Sequence, residues 1–400
     1  MSISKRWAVA GVLLAAAMAT LAAFVGATSA GDTARKPIVI GWAGDLTKNM
    51  APFDGPGYAA AQIRVKEINA KGGVKGRPLQ LRFINTQLDP AKTKQAAADL
   101  IQGGADVLMV TCDVDFATPA IQEGLNAGKL TVSACIGTDQ MGPKRFGSKG
   151  RLAFSFGNAA QDEGAAMAEY AIGRGWKTAI VVKDNLLVYF KNASDAFAKR
   201  FTEKGGKVVY RDSFTSFDKT INSVVSRVNG KQADVISFVT AFGELPQFVA
   251  GLRSLGNKTP ILNSWGGDGT YWNPKRPKVT NYYYVTYASA FGDDPNPAVN
   301  RLAAQMKAAG KAPGTASFVQ GPTAIEGIVA AINRAGGSTD GAKLAAQMEK
   351  FKGLKTISGS VSFSPSFHSV TGRAYRVMVI NNNKAKYLRR ITASSPAKIG

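Results

Sequence analysis

The chain has 400 residues, 45% of them hydrophobic and 19% charged, which is enough for a large buried core and excludes disorder driven by low hydrophobicity and dense charge. One histidine and two cysteines leave no zinc constellation and little room for nucleophilic chemistry. The formal charge of +23 comes from lysines and arginines scattered along the whole length; this reads as a solvated basic surface, or one that attracts anions or faces an acidic partner, and not as nucleic-acid recognition.

Lys5 and Arg6 precede an uncharged stretch from Trp7 to Ala30, apolar first and small-residue at its end. That is the order of a secretory signal, predicted over residues 1–30, with Val25-Gly26-Ala27 and Thr28-Ser29-Ala30 as alternative cleavage sites. An uncleaved anchor is the competing reading, since the stretch is nearly long enough to span a bilayer; its alanine richness and small-residue end favour cleavage. No cysteine lies near the site, so a lipid anchor is not expected. Without residues 1–30 the chain carries +21 and has no later run long enough to span. The mature protein is expected to be soluble and periplasmic, or otherwise extracytoplasmic.

Apolar runs then alternate with helical stretches. Strands are predicted over 37–42, 79–84, 105–111 and 130–135, with helices over 59–70, 91–101 and 118–126. The pattern restarts with helices over 165–172, 194–203, 220–228 and 245–254 and strands over 178–182, 208–214, 234–239 and 260–263. Strands recur at about the length of a βαβ repeat, which forces parallel pairing with helices on both faces. Past residue 280 come a Tyr-rich strand over 281–288, helices over 299–308, 318–335 and 342–351, and a terminal hairpin of 375–380 and 387–391 around Asn381-Asn382-Asn383. The fold class is α/β: two Rossmann-like lobes with parallel sheets, without a flexible linker between them.

In open parallel sheets, ligands sit beyond the carboxyl ends of the strands. The loops there mix glycine, small hydroxyls, carboxylates and large aromatics, which suits a pocket holding a polar head on backbone N–H groups and a carbon skeleton on aromatic faces. Candidate ligand-binding residues are Phe53, Asp113, Val114, Asp115, Cys135, Ile136, Gly137, Thr138, Tyr189, Phe242, Trp265 and Asp268. Cys112 and Cys135 each end a buried strand; if those strands are neighbours about 4.8 Å apart, export permits a disulfide, and two buried thiols are the alternative. Gly55-Pro56-Gly57 only weakly echoes a dinucleotide loop, so no cofactor is expected. His368 lies in an expected surface turn, and no nucleophile elbow accompanies it. Asp113 and Asp115 could do acid–base work, but solute binding or helix capping suits them better.

Residues 63–76, ending Glu67-Ile68-Asn69-Ala70-Lys71-Gly72-Gly73-Val74-Lys75-Gly76, resemble the first-helix signature of type I periplasmic binding proteins of the Leu/Ile/Val class. Asp89-Pro90, Thr118-Pro119-Ala120, Asp184-Asn185, Gly205-Gly206 and the stretch from Leu252 to Gly256 extend the resemblance over essentially the whole mature chain. It implies a three-segment hinge joining a first lobe of residues 37–154 with 287–361 to a second of 155–286 with 362–393. It also implies closure around one solute, no catalysis, and docking of a monomer on an ABC permease with cytoplasmic ATPase subunits. By the same resemblance Phe53 and Tyr189 match aromatics at the ligand, and the loops at Asp113–Asp115 and Cys135–Thr138 match carboxylate-binding loops. Trp265 stands where the family places an ammonium-binding carboxylate, with Asp268 three residues on. The expected solute is a branched-chain amino acid or a related or aromatic carboxylate. The rival readings are an exported hydrolase using Asp113 or Asp115, and a sensing protein for a separate receptor.

Overall fold

The computed structural model describes residues 35–399; the signal expected over residues 1–30 lies outside the described residues. Five strands, β1 (Ile38–Gly44), β2 (Leu79–Asn85), β3 (Val107–Val110), β4 (Leu130–Ser133) and β5 (Ala153–Ser155), form one sheet in the order β2-β1-β3-β4-β5. Every pair in it is parallel. The crossovers carry α1 (Ala51–Ala70), α2 (Pro90–Gln102) and α3 (Val114–Asn126), and a single turn, α4 (Pro143–Phe146), precedes β5. β1 and β3 are buried at every residue. Helices cover both faces of such strands, which is why their sequences are continuously apolar instead of alternating.

α5 (Ala160–Gly173) opens the second unit, followed by β6 (Thr178–Asp184), α6 (Val188–Glu203), β7 (Lys207–Phe214), α7 (Ile221–Asn229), β8 (Val235–Val239), α8 (Glu244–Ser254), β9 (Ile261–Asn263) and β10 (Tyr282–Thr286). The chain then runs through α9 (Pro297–Ala308), α10 (Ser317–Arg334), α11 (Gly341–Met348) and a short hairpin of β11 (Leu354–Thr356) and β12 (Gly359–Val361). It returns as β13 (Tyr375–Asn381) and β14 (Lys384–Ile391), and the seven-stranded sheet has the order β14-β13-β10-β9-β8-β6-β7.

This second sheet is mixed, which corrects the expectation of two parallel sheets. Its strands from β7 to β10 are parallel, but β13 runs antiparallel to β10 and β14 antiparallel to β13. The tight turn, in which Asn382 and Asn383 both have positive φ, accounts for the β13–β14 pair, since two residues in that conformation can join only antiparallel neighbours; β13 reaches β10 after the long return through α9 to β12, a connection that permits either direction. The two sheets give an α/β architecture of two lobes. α10 packs along α1, and α11 packs against β4, so the segment after β10 goes back to the first sheet. The backbone therefore passes between the two layers at 156–159, 287–296 and 362–374.

Helices α1, α3, α5 and α6 begin earlier than periodicity suggests. Pro56, ahead of the helix expected from residue 59, lies inside α1. It has no N–H for the Pro52 carbonyl, and the Thr315 hydroxyl donates to that carbonyl instead, at 2.8 Å. His368 is not in a surface turn. It is buried, its ring stacks 3.9 Å from Phe154, and Nδ1 lies 2.8 Å from the Ala153 carbonyl. The third passage carries it between packed layers, where burial pushes the imidazole below its ordinary pKa and keeps it a neutral packing group.

Cys112 and Cys135 lie just beyond the adjacent strands β3 and β4 and are joined by a disulfide, with Cα atoms 4.9 Å apart and 23 residues of separation. Replacing both by alanine should lower the unfolding free energy by about 3 kcal/mol, the loop-closure value for a cross-link of that span. Urea denaturation of the oxidised protein and the double variant measures this, and coincident midpoints would show that the bridge contributes nothing.

Candidate functional site

Loops after β1, β3 and β4 meet loops after β6, β8 and β9 across a narrow cleft of about 20 Å³. Its walls are Met50, Phe53, Cys112, Asp113 and Gly137 from the first unit and Leu187, Tyr189, Phe190, Ala241, Phe242, Trp265 and Gly266 from the second. The arrangement follows from topology, since parallel strands end together and their connecting loops diverge at the same edge.

Buried carboxylates fix these loops. Asp54, in the first turns of α1, accepts from the Asp45 N–H at 2.8 Å, the Cys112 N–H at 3.0 Å and the Thr111 hydroxyl at 2.5 Å. This ties α1 to the loops after β1 and β3 and sets the place of neighbouring Phe53. Burial outweighs these donors and raises the Asp54 carboxyl to about 7. Asp184 plays the same part in the second unit. It accepts from the Leu186 and Ser216 N–H groups, both at 3.0 Å, and from the hydroxyls of Ser216 and Thr240 at 2.5 and 2.8 Å. Asp113 caps α3 by accepting from Asp115 N–H at 2.8 Å and Phe116 N–H at 3.2 Å. Burial, aided by the charge of Asp115, raises it to about 7.

Glu163, on α5, supports the far wall. It accepts from the Tyr189 hydroxyl at 3.0 Å and from the Trp265 backbone N–H at 2.5 Å, and burial raises it to about 8. The indole N–H of Trp265 has no acceptor among the described residues. Phe242 is held by Phe217, stacked at 5.5 Å, and by the edge of Phe190 at 5.7 Å. Glycine is required at 137, where a Cβ would stand 2.7 Å from the Tyr189 ring.

The two walls also touch. The rings of Phe53 and Trp265 lie 4.9 Å apart and those of Phe116 and Phe242 6.4 Å apart. The Val188 N–H donates to Asp115 at 2.9 Å, and the Ala316 N–H donates to Asp268 at 2.7 Å.

Of the residues singled out from sequence, Phe53, Asp113, Gly137, Tyr189, Phe242 and Trp265 line the cleft together. The others lie outside that lining. Val114 and Ile136 are in the core beneath α3, and Cys135 is taken by the disulfide. Thr138 is buried, with its hydroxyl accepting from Gln140 N–H. Asp115 pairs with Arg145 at 2.8 Å. Both oxygens of buried Asp268 are used, by Gly269 N–H on one and by the Thr286 hydroxyl and Ala316 N–H on the other. Sequence reasoning missed Met50, Leu187, Phe190, Ala241 and Gly266 as lining residues, although each sits in a loop already flagged. It missed Glu163 entirely, because that residue precedes the expected start of its helix.

The lining is aromatic and aliphatic, with one carboxyl and no lysine or arginine. Among the described residues, no group of three or more His, Cys, Asp or Glu side chains could hold a metal ion. Such a cleft can sandwich a small organic molecule and exclude water.

A family model described as periplasmic binding protein matches residues 37–385. Leu/Ile/Val-binding protein homolog 3 of Brucella melitensis is 26% identical over 343 residues, covering 86% of this chain and 91% of that protein. The Leu/Ile/Val-binding protein BraC3 of Rhizobium johnstonii is 24% identical over 336 residues, covering 82% and 88%. Among solved structures, a leucine-binding protein from Thermotoga maritima superposes with a TM-score of 0.76 at 21% identity, covering 89% of this chain and 99% of that one. An ABC-transporter solute-binding protein from Rhodopseudomonas palustris BisB5, in complex with 3,4-dihydroxybenzoic acid, gives 0.75 at 18% identity, covering 90% and 98%.

Glu163 provides a pH test. Burial lifts its native pKa to about 8, above the ordinary 4.5 of a glutamate. Between these values the unfolded chain releases a proton that the native state retains, so stability falls as pH rises through this window. Glu163→Gln should flatten the loss between about pH 5 and 8 by on the order of 3 kcal/mol. Denaturant titrations at several pH values measure it, and equal pH slopes for both proteins would refute the assignment.

Proposed function

Because the chain belongs to the periplasmic binding protein family, we propose that it is the solute-binding component of an ABC importer, capturing one small organic solute as its lobes close. The observation that carries this reading is the aromatic cleft, built from strand-end loops of both sheets and bridged by hydrogen bonds between them. Each wall supplies half the contacts, so a bound solute favours the closed state over the open one. The cleft volume of about 20 Å³ is room for little more than a water molecule, so the walls must part to admit a solute and close again around it.

In this reading the solute is a branched-chain amino acid or a related or aromatic carboxylate. Relatives named for Leu/Ile/Val binding support the first, and the aromatic lining supports the second. Phe53, Tyr189, Phe242 and Trp265 hold the carbon skeleton, and Asp113 and the backbone at Gly137 meet its polar groups. Asp115 and Asp268 act as latches. The lobes are residues 37–154 with 287–361 and residues 155–286 with 362–393. The chain is exported by a cleaved signal over residues 1–30, works as a monomer outside the cytoplasm, and delivers its solute to permease subunits driven by cytoplasmic ATPases without catalysing a reaction. The carboxylates a hydrolase would use, Asp113 and Asp115, are engaged in capping α3 and in bridging to Val188.

A thermal-shift screen of amino acids and aromatic acids tests the reading. A true solute at 100 times its dissociation constant should add about 2.7 kcal/mol of stability, and turnover of that compound would overturn the transport assignment. Trp265→Ala should weaken binding of the identified solute at least about tenfold, the loss expected for a buried aromatic contact; unchanged affinity would remove Trp265 from the site.

A further inference from the structure

A second concavity, of about 480 Å³, opens where the second and third passages between the layers run beside the β11–β12 hairpin and β14. It shares no lining residue with the aromatic cleft, and none of its lining residues is acidic. Three arginines, Arg373, Arg376 and Arg390, line it with Thr356, Ser358 and Ser360; the Thr356 hydroxyl donates to the Gly359 carbonyl and the Ser358 oxygen accepts from Thr323 and Arg373, which leaves the Ser360 hydroxyl free among the described residues.

The arginines are not equivalent. Arg373 is buried and fully used, donating to Asn158, Ser358 and the Phe156 carbonyl at 2.7–2.8 Å. Arg376 is held by Asp294 through two bonds of 3.0 Å. Arg390 is exposed and has no ion-pair or hydrogen-bond partner among the described residues. In the β13–β14 register it stands directly opposite Arg376. Like charges in that cross-strand position repel, and Asp294 can neutralise only one of them. The N-terminus of α9, at Asn296 and Pro297 on the same wall, adds further positive potential.

We propose that this concavity is a site for a small oxyanion, a phosphate or carboxylate group lying against Arg390 and Arg376 and taking a further bond from the free Ser360 hydroxyl of the β11–β12 hairpin. The anion offsets the cross-strand repulsion that the fold otherwise leaves standing. Its two sets of donors come from different layers: the hairpin packs on α10, on the first-sheet side, and the arginines belong to the second sheet. Occupancy therefore joins the layers where the passages cross. The site is independent of the solute reading, since it uses none of the cleft residues.

Inorganic phosphate is the probe. Titrated into the purified protein and followed by calorimetry, it should bind saturably, whereas sodium chloride at equal ionic strength should not. Arg390→Glu, at an exposed position that leaves the core intact, should weaken phosphate binding at least tenfold, and Arg390→Lys should recover part of the loss. Circular dichroism of the variants should match that of the parent. Equal phosphate affinity in Arg390→Glu, or chloride that reproduces the phosphate effect, would overturn the site. Co-sedimentation with phosphatidylglycerol vesicles separates a lipid headgroup from a free anion. Vesicle binding that Arg390→Glu abolishes, without saturable free phosphate binding, assigns the oxyanion to a headgroup. Failure of both probes refutes the proposal.

Discussion

Carboxylates buried at the strand tips, each satisfied by backbone N–H groups and hydroxyls from separate loops, hold the working end of this molecule in shape. Asp54 gathers the loops after β1 and β3 onto the start of α1, and Asp184 gathers those after β6, β7 and β8. A buried charge without donors is very costly, and a loop N–H buried without an acceptor costs about 1–3 kcal/mol. Each side of this arrangement therefore depends on the other. Burial still raises both carboxyls above the usual range, so the donors only partly offset desolvation. In return, loops that would otherwise be mobile present Phe53 on one wall and Tyr189 with Phe242 on the other in fixed positions, as a binding site needs.

The contacts that cross the cleft differ in kind. The bond from Val188 N–H to Asp115 is partly exposed, so opening exchanges it for water, and its net worth is only about 0.5–1.5 kcal/mol. Asp268 is buried and shared among three donors, and Glu163 joins Tyr189 and Trp265 within one wall. The Ala316 N–H bond to buried Asp268 and the Phe53–Trp265 ring contact are therefore the stronger crossings, so parting the walls costs more there than at Val188.

The longer parallel strands were legible in the sequence because buried ones are runs such as Val107–Val110, bounded by glycine and helical stretches; the three-residue strands β5, β11 and β12 are too short to show a pattern. Helix starts were not. Those of α1, α3 and α6 lie inside loops rich in Gly, Pro, Asp and Asn, where turn chemistry and N-terminal helix chemistry use the same residues. Pro56 shows the limit plainly: it is tolerated in α1 only because Thr315, some 260 residues away, takes the carbonyl it leaves free. His368 was misread for a related reason, since its neighbours are polar and the packing that buries it comes from Phe154 in another segment. The aromatic residues that line the cleft could be picked from strand-end loops. Glu163 could not, because nothing local distinguishes a carboxylate at a helix start that supports a distant tryptophan.

The large positive charge has no place in the cleft, whose lining contains no lysine or arginine, so the cations must be explained elsewhere. Many lie along the two outer strands of the second sheet: Lys384, Lys386, Arg389 and Arg390 on β14, and Lys207 and Arg211 on β7, all exposed. Edge strands offer unpaired backbone groups to any passing chain, and long charged side chains on an edge prevent that pairing. Edge protection accounts for cations pointing to solvent with free space around them. It does not account for a guanidinium placed opposite another inside a concavity, where outward repulsion of a neighbouring chain gains nothing and mutual repulsion weakens the β13–β14 pair. Whatever the cleft holds must then be met by packing and by backbone and carboxyl dipoles, while the protein's net charge acts on whatever approaches its outer surface.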